Sequence, residues 1–139
     1  MMAGKFTRLQ KSYRIMDSDG VAMYTGVVMA GENQCKKPTV DNEIPLGVVD
    51  SDERIDDPVR AGGDQTGRQV AVKLEGIAEI KLSGSVQAGD RVILGAGGVA
   101  KKMPSEPGVY NVLGFAEKNG EDGDVIPVRM AYHVFPINE

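Results

Sequence analysis

Gln69-Val70-Ala71-Val72-Lys73-Leu74-Glu75-Gly76-Ile77-Ala78-Glu79-Ile80-Lys81-Leu82 decides the fold class. Val70, Val72 and Leu74 alternate with Ala71, Lys73 and Glu75, and after Gly76 the alternation resumes on Ile80 and Leu82. A period of two places one set of side chains on a buried face, as in a β-strand, and an interior glycine predicts a bulge or sharp bend. Ser85 to Asp90 follows as a turn with Gly89 at its corner, and Arg91–Leu94 reads as the next strand. Gly26–Met29, Leu46–Val49, Val112–Ala116 and Val125–Phe135 are further strands. Short strands with turn signals at this spacing predict a mostly β protein, a compact barrel-like or sandwich-like domain. The chain has 18 Gly and 7 Pro in 139 residues, which leaves no long helical window. A short helix or irregular loop is allowed over Asp50–Gln65.

The strands repeat. Val27-Val28-Met29-Ala30-Gly31 with Lys36-Lys37 aligns without gaps on Val92-Ile93-Leu94-Gly95-Ala96 with Lys101-Lys102. Leu46 to Asp50 aligns on Leu113 to Glu117, and Gly67 to Leu74 aligns on Gly123 to Met130. Three blocks in one order predict an internal pseudo-repeat, with units at about 26–82 and 89–134, packed about a pseudo-twofold. The first unit carries an acidic insertion at about 51–66. Two units are too few for a solenoid, so a compact duplicated domain is expected at 25–139.

Residues 1–24 lie outside both units in this reading. Lys5, Arg8, Lys11 and Arg14 are interleaved there with Phe6, Leu9, Tyr13 and Ile15. Two readings stay open: a first strand that closes the sheet, or an extended N-terminal arm that orders on a partner.

Composition removes several function classes. The length suits one domain, and 41% hydrophobic with 26% charged residues describes neither a disordered nor a membrane chain. No stretch has the roughly 18–20 apolar residues of a spanning helix, and the N-terminus lacks the apolar core of a signal peptide, so no membrane partner is expected and synthesis in a cytoplasm is. Cys35 is the single cysteine and His133 the single histidine, which excludes an internal disulfide and multi-Cys or multi-His metal sites. A net charge of −4 argues against nucleic acid as a partner.

Four stretches imitate catalytic or ligand motifs. Gly95-Ala96-Gly97-Gly98-Val99-Ala100 has dinucleotide-loop spacing, but Pro104 and Pro107 preclude the helix that would hold a pyrophosphate, so a glycine-rich hairpin turn is expected. Lys101-Lys102-Met103 lacks the Ser or Thr of a P-loop. Asp17-Ser18-Asp19-Gly20 starts like a calcium loop, yet position twelve is Val28 rather than Glu. Gly47-Val48-Val49-Asp50-Ser51-Asp52-Glu53-Arg54 resembles a segment of the dUTPases, with Asp50, Asp52 and Arg54 matching and Glu53 replacing the sugar-stacking Tyr. The other dUTPase segments are missing, and the expectation is a protein without catalytic, cofactor-binding or metal-ligating residues.

Beyond these stretches, Val70 to Ile77, Ala88-Gly89-Asp90-Arg91-Val92, Gly98-Val99, Leu113 to Glu117, Gly123-Asp124-Val125 and Val128-Arg129-Met130 occur in an order that resembles phage capsid decoration (cement, head-stabilising) proteins, a family of phage and prophage proteins formerly of unknown function. The resemblance covers about residues 24–132. It implies a small β-module, often a homotrimer, that docks on the exterior of the virion head where copies of the major capsid protein meet. The longer N-terminal segment and the acidic insertion depart from the pattern. Lys5, Phe6, Arg8, Leu9, Lys11, Tyr13 and Arg14 are the expected capsid-binding residues. Another phage structural or tail-associated β-module is the alternative, and a degenerate dUTPase-like hydrolase a more distant one.

Overall fold

The computed structural model describes residues 5–55 and 63–138. Nine strands are present among them: β1 (Phe6–Ile15), β2 (Thr25–Gly31), β3 (Gln34–Lys36), β4 (Gly47–Val49), β5 (Gln69–Lys81), β6 (Arg91–Leu94), β7 (Ala100–Lys102), β8 (Gly108–Ala116) and β9 (Val125–Ile137). One sheet holds them in the order β1-β3-β2-β4-β5-β9-β8-β6-β7, and β1 also pairs with β5. That extra pairing closes β1, β3, β2, β4 and β5 into a ring. The other strands form a second ring with the end of β5, closed by a bridge from Leu82 to Ala100. The molecule is thus two small barrels that share one long strand. A ring removes most free edges, which short antiparallel strands otherwise leave open.

The strand order is a palindrome about β5 and β9, and the registers repeat residue by residue. Val27↔Gly47 in the first barrel corresponds to Val92↔Gly114 in the second. Met29↔Cys35 corresponds to Leu94↔Ala100, and Val48↔Lys73 to Phe115↔Arg129. The correspondence reaches further than the three sequence blocks. Ile15 pairs in parallel with Cys35 as Leu82 pairs in parallel with Ala100. Gly67 N–H donates to Ile15 O at 2.7 Å, and Gly123 N–H donates to Leu82 O at 3.0 Å. β1 is therefore the counterpart of the second half of β5.

This finding corrects the expected arm. Phe6–Ile15 is a strand, antiparallel to β5 from Phe6↔Ile77 to Arg14↔Gln69. It opens the first copy of the repeat instead of lying outside both copies. The second copy opens within β5, near Ile77. Of the expected arm residues, 1–4 lie outside the described residues, as do Asp56, Asp57 and part of the acidic insertion.

The two cores correspond as well. Ile15, Val21, Val27, Cys35, Val49 and Val70 fill the first barrel. Their counterparts Leu82, Val86, Val92, Ala100, Ala116 and Ile126 fill the second. Gly47 and Gly114 are a matched pair for a steric reason: a Cβ would stand 2.2 Å from Lys73 O at one site and 2.1 Å from Arg129 O at the other. Tyr24 and Gly89 occupy one turn position with φ of 71° and 93°, and each amide donates to the end of the following strand pair, to Val49 O and Ala116 O.

β3 and β7, three residues each, are too short for alternation to reveal. The Gly95–Ala100 stretch is the expected hairpin turn, with a short 3₁₀ turn at Ala96–Gly98. Gly76 supplies the expected bend, at φ 120°, where a Cβ would stand 2.0 Å from Phe6 O.

Lys73 is the largest departure from the alternation pattern. It is 1% exposed, and its Nζ lies 2.9 Å from Asp50 Oδ2 and donates to Ile77 O at 3.1 Å. Asp50 Oδ2 also accepts from Glu79 N–H at 3.0 Å, while Oδ1 is buried with no partner. The counterparts of Lys73 and Asp50 are Arg129 and Glu117, which form an ion pair at 3.2 Å on the surface. One interaction thus occurs twice, once enclosed and once in water.

The duplicate supplies its own control. Lys73→Met leaves the Asp50 carboxylate buried and uncompensated, and chemical denaturation is expected to show a loss of ~3–5 kcal/mol. Arg129→Met, at the exposed counterpart, is expected to change stability by about 0–1 kcal/mol. Equal effects at both sites contradict the assignment of the Lys73 pair as a buried support.

Cys35 gives a second check on the first core. Burial, aided by the charge of Asp17, pushes its thiol up to about 12. The thiolate is the reactive form, so at mildly alkaline pH the native protein is expected to resist a thiol-reactive disulfide reagent. In denaturant one thiol should react at once; fast reaction of the native protein contradicts the burial.

Candidate docking surfaces

β1 carries the residues that the sequence singles out, and the strand divides them. Phe6 through Ser12 are exposed, although each lies on a paired strand. The register shifts on both sides of Leu9, so the ladder is irregular there, while Phe6 and Thr7 stay paired with Ile77 and Gly76. Phe6 is 62% and Leu9 47% exposed. Arg8 Nε lies 3.3 Å from Glu75 Oε1, and Lys11 Nζ donates to Asn33 Oδ1 at 3.0 Å while lying 5.0 Å from the centre of the Tyr13 ring. Lys5 Nζ donates to Asp50 O at 3.1 Å. Arg14 is exposed beside the β2–β3 turn, near Glu32. Tyr13 is buried in the first core, which removes it from the docking residues. The basic residues interleaved around it in sequence made it look like part of an arm; the ring closure puts its side chain inside.

A groove of about 570 Å³ opens where the two barrels meet. Leu46 and Leu113 line it, as do Leu74 and Met130, and each pair consists of counterparts in the two copies. The groove therefore lies on the pseudo-twofold. Phe6 and Tyr132 stand at its rim with the Arg8–Glu75 pair. The sequence reading missed it, because no single strand contains it.

The third surface is the ribbon formed by β8 and the second half of β9. Pairing runs from Val112↔His133 to Gly108↔Ile137. One face holds Tyr110, Val112, Phe135 and Ile137 against Ile93. Arg91 stacks there, 4.0 Å from the Phe135 ring centre and 5.4 Å from that of Phe115, and its Nε donates to His133 Nε2 at 3.1 Å. His133 Nδ1 lies 2.7 Å from Ala131 O, which places the ring proton on Nδ1. The other face shows Val109, Tyr132 and Val134 to solvent, with Tyr132 O–H donating to Oδ1 of the half-buried Asn111 at 3.1 Å.

The loop between β3 and β4 binds the two barrels together. Asn42 N–H donates to Leu94 O at 2.9 Å, Asn42 Nδ2 donates to Val109 O at 2.8 Å, and Asn111 N–H donates to Asn42 Oδ1 at 2.7 Å. Asp41 accepts from Lys101 Nζ at 2.8 Å and from Ala96 N–H at 2.9 Å. These two bonds, the lysine's first, hold its carboxyl below the usual carboxylate range. Glu43, held by the amides of Val40 and Thr39, is lowered too.

The apparent chemical motifs are structural here. Asp50, the supposed dUTPase-like carboxylate, is enclosed with Lys73 and has no open face for a nucleotide. At Asp52 burial raises the pKa, but amide donation from Glu53 and Ala71 and the Arg54 guanidinium together outweigh it and lower the carboxyl. Asp17 Oδ2 accepts Lys37 N–H at 2.8 Å, and Asp19 pairs with Lys37 Nζ at 2.9 Å. Among the described residues no three His, Cys, Asp or Glu side chains group as metal ligands, and no helix is long and apolar enough to cross a membrane.

No family model matches the sequence, and no curated protein matches it. Among solved structures, the fold is similar to the N base of the head fiber gp8.5 of bacteriophage phi29, with a TM-score of 0.60 at 16% identity. The match covers 88% of this chain and 93% of that one. At this identity the likeness is one of fold.

Deleting residues 2–14 separates a strand from an arm. The deletion removes Tyr13 and most of the β1 ladder and so opens the first barrel. A large fall in melting temperature, or loss of cooperative unfolding, is expected. An unchanged melting curve shows instead that β1 contributes nothing to the closed ring.

Proposed function

We propose that this chain is a structural protein of a phage head, a decoration or cement protein without enzymatic activity. In this reading it sits on the exterior of the virion as a homotrimer, and its partner is the major capsid protein. The observation that carries the reading is the fold: over nearly the whole of both chains it is similar to the base of a phage head fiber. The order of short motifs through residues 24–132 points the same way. The chemistry of the surface is compatible, since binding here needs strand edges and exposed apolar side chains and no tuned acid or base.

Docking in this reading falls to β1 and the rim beside it. Arg8, Lys11 and Arg14 put three cations on one strand of a chain with net charge −4, with Lys5 just before it, next to the exposed Phe6 and Leu9. Such a strand steers an acidic surface by charge and holds it by burial, and several weak sites multiply when copies act together.

The test is binding to heads of the encoding phage assembled without this protein, with bound copies counted by mass spectrometry. The native chain is expected to saturate sites on the head, with binding weakened by salt. Arg8→Glu with Lys11→Glu, both on exposed positions, is expected to weaken binding about tenfold with melting unchanged. Absence of binding to such heads overturns the reading. Binding that ignores the two reversals moves docking away from β1.

A further inference from the structure

Arg91, Phe115 and Arg129 form one row across three strands. Arg91 lies opposite Phe115, and Phe115 lies opposite Arg129. Opposed residues project to the same face of a sheet, so both guanidinium groups reach the Phe115 ring, at 5.4 and 5.1 Å from its centre. Val92 and Leu94 fill the second barrel, which by alternation turns this row to its outer face. The repeat shows that the fold does not require the row. Its counterpart in the first copy is Gly26–Val48–Lys73, where glycine stands in place of Arg91 and the one cation is enclosed with Asp50.

Arg91 is held more firmly than a surface arginine needs to be. Its guanidinium lies 4.0 Å from the Phe135 ring centre, and its Nε donates to His133 Nε2 at 3.1 Å. Two rings and one hydrogen bond fix the plane of the group, so little further side-chain freedom is lost when it meets a ligand. The histidine engages Nε alone. Among the described residues no acceptor engages either Nη group, and neither Nη is buried. The neighbouring cations are matched: Arg129 pairs with Glu117 at 3.2 Å, and Lys102 lies 3.8 Å from Asp90. Among the described residues Arg91 is the cation of this cluster with no carboxylate of its own.

We propose that the Arg91 guanidinium is a receptor for a carboxylate, the Asp or Glu side chain of a partner protein, bound by its two Nη groups. That edge presents parallel N–H donors at the spacing of carboxylate oxygens. The unmatched charge is single, and one carboxylate answers it. A dianionic phosphate fits less well, because Asp90 and Glu117 flank the same row. The rings of Phe115 and Phe135 exclude water from the faces of the guanidinium, which strengthens charged hydrogen bonds at its edge. An arginine set among aromatic rings is also the composition of an energetic anchor in protein interfaces. For the identity of the partner this rests on the head-binding reading; the site itself is tested on the free protein.

The experiment follows the Arg91 Nε–H and His133 ring signals by NMR in the full chain during titration with acetyl-Ala-Glu-Ala-amide at constant ionic strength. A saturable shift is expected, and none with the same peptide carrying Gln for Glu. Arg91→Lys keeps the charge without the fork and is expected to weaken binding about tenfold. Lys118→Gln, at an exposed cation just after β8, is expected to leave binding unchanged. Should Arg91→Lys fail to fold, Phe135→Leu removes one stacking ring and is expected to weaken binding with Arg91 in place. On heads, Arg91→Gln is expected to reduce affinity about tenfold with a small change in melting. Equal shifts from the Glu and Gln peptides overturn the proposal, as does tighter binding of inorganic phosphate than of the Glu peptide. A loss from Lys118→Gln as large as that from Arg91→Lys overturns it too. Head binding that Arg91→Gln leaves unchanged overturns the assignment of the carboxylate to the partner protein. A native chain that takes the Glu peptide but binds no heads overturns the head reading and leaves the carboxylate site standing.

Discussion

Everything in this molecule depends on β5 serving two barrels, and the enclosed Lys73–Asp50 pair stands at the point where it passes from one to the other. Lys73 belongs to the first half of the strand and Asp50 to the end of β4. Ile77 and Glu79, which complete the cluster, belong to the second half. The cluster therefore spans the bend at Gly76. Enclosing two charges costs several kcal/mol per ion, and an apolar pair of equal volume would often do as well for stability. An apolar pair would not bind Ile77 O and Glu79 N–H, the backbone groups freed where the strand bends. The pair is thus placed where the chain has polar groups to satisfy. In the second copy the counterparts Arg129 and Glu117 are exposed, and the same pair stays in water.

The duplication also explains which surfaces are left over. Each copy consists of five strands, and the last strand of the first copy runs on as the first strand of the second. Phe6–Ser12 is paired along β5 but uncovered. Among the described residues the second half of β9 pairs only with β8. β8 compensates by being longer than its counterpart β4, nine residues against three, and the extra length forms the ribbon. The candidate docking surfaces lie on the outer strands of the duplicated unit.

Much of this was legible in the sequence, for a definite reason. Alternation at Val70–Leu74 and Ile80–Leu82 reports a strand directly, and Gly76 reports its bend. The three repeated blocks kept Gly47 with Gly114 and Lys73 with Arg129 because the backbone approach and the ion pair required them. The fourth block, Lys11–Ile15 against Ala78–Leu82, stayed hidden: it preserves only which positions face inward, and Tyr13 replaces Ile80 with a quite different shape. Lys73 read as a solvent-facing residue because period two cannot register a strand covered on both faces. The groove is assembled from Leu46, Leu74, Leu113 and Met130, distant in sequence, and nothing local could announce it. The ribbon read simply as strand, since Tyr132 and Val134 look like core residues until their neighbours are found to be missing.

The two candidate surfaces at β1 and at the β8–β9 ribbon differ in charge. β1 presents Arg8, Lys11 and Arg14, with Lys5 just before it, and like charges on an edge are the usual defence against pairing with an identical edge. A second copy is therefore a poor partner for β1, whereas an acidic foreign surface is a good one. The β8–β9 ribbon has the opposite character: among the described residues it carries no Lys, Arg, Asp or Glu and leaves a ladder open on one side. Apolar area and backbone bonds are available on many proteins, so the ribbon offers little discrimination, whereas the cations of β1 select by charge. Between these two surfaces, specificity in the head-binding reading therefore falls to β1, and the ribbon adds contact area without adding choice.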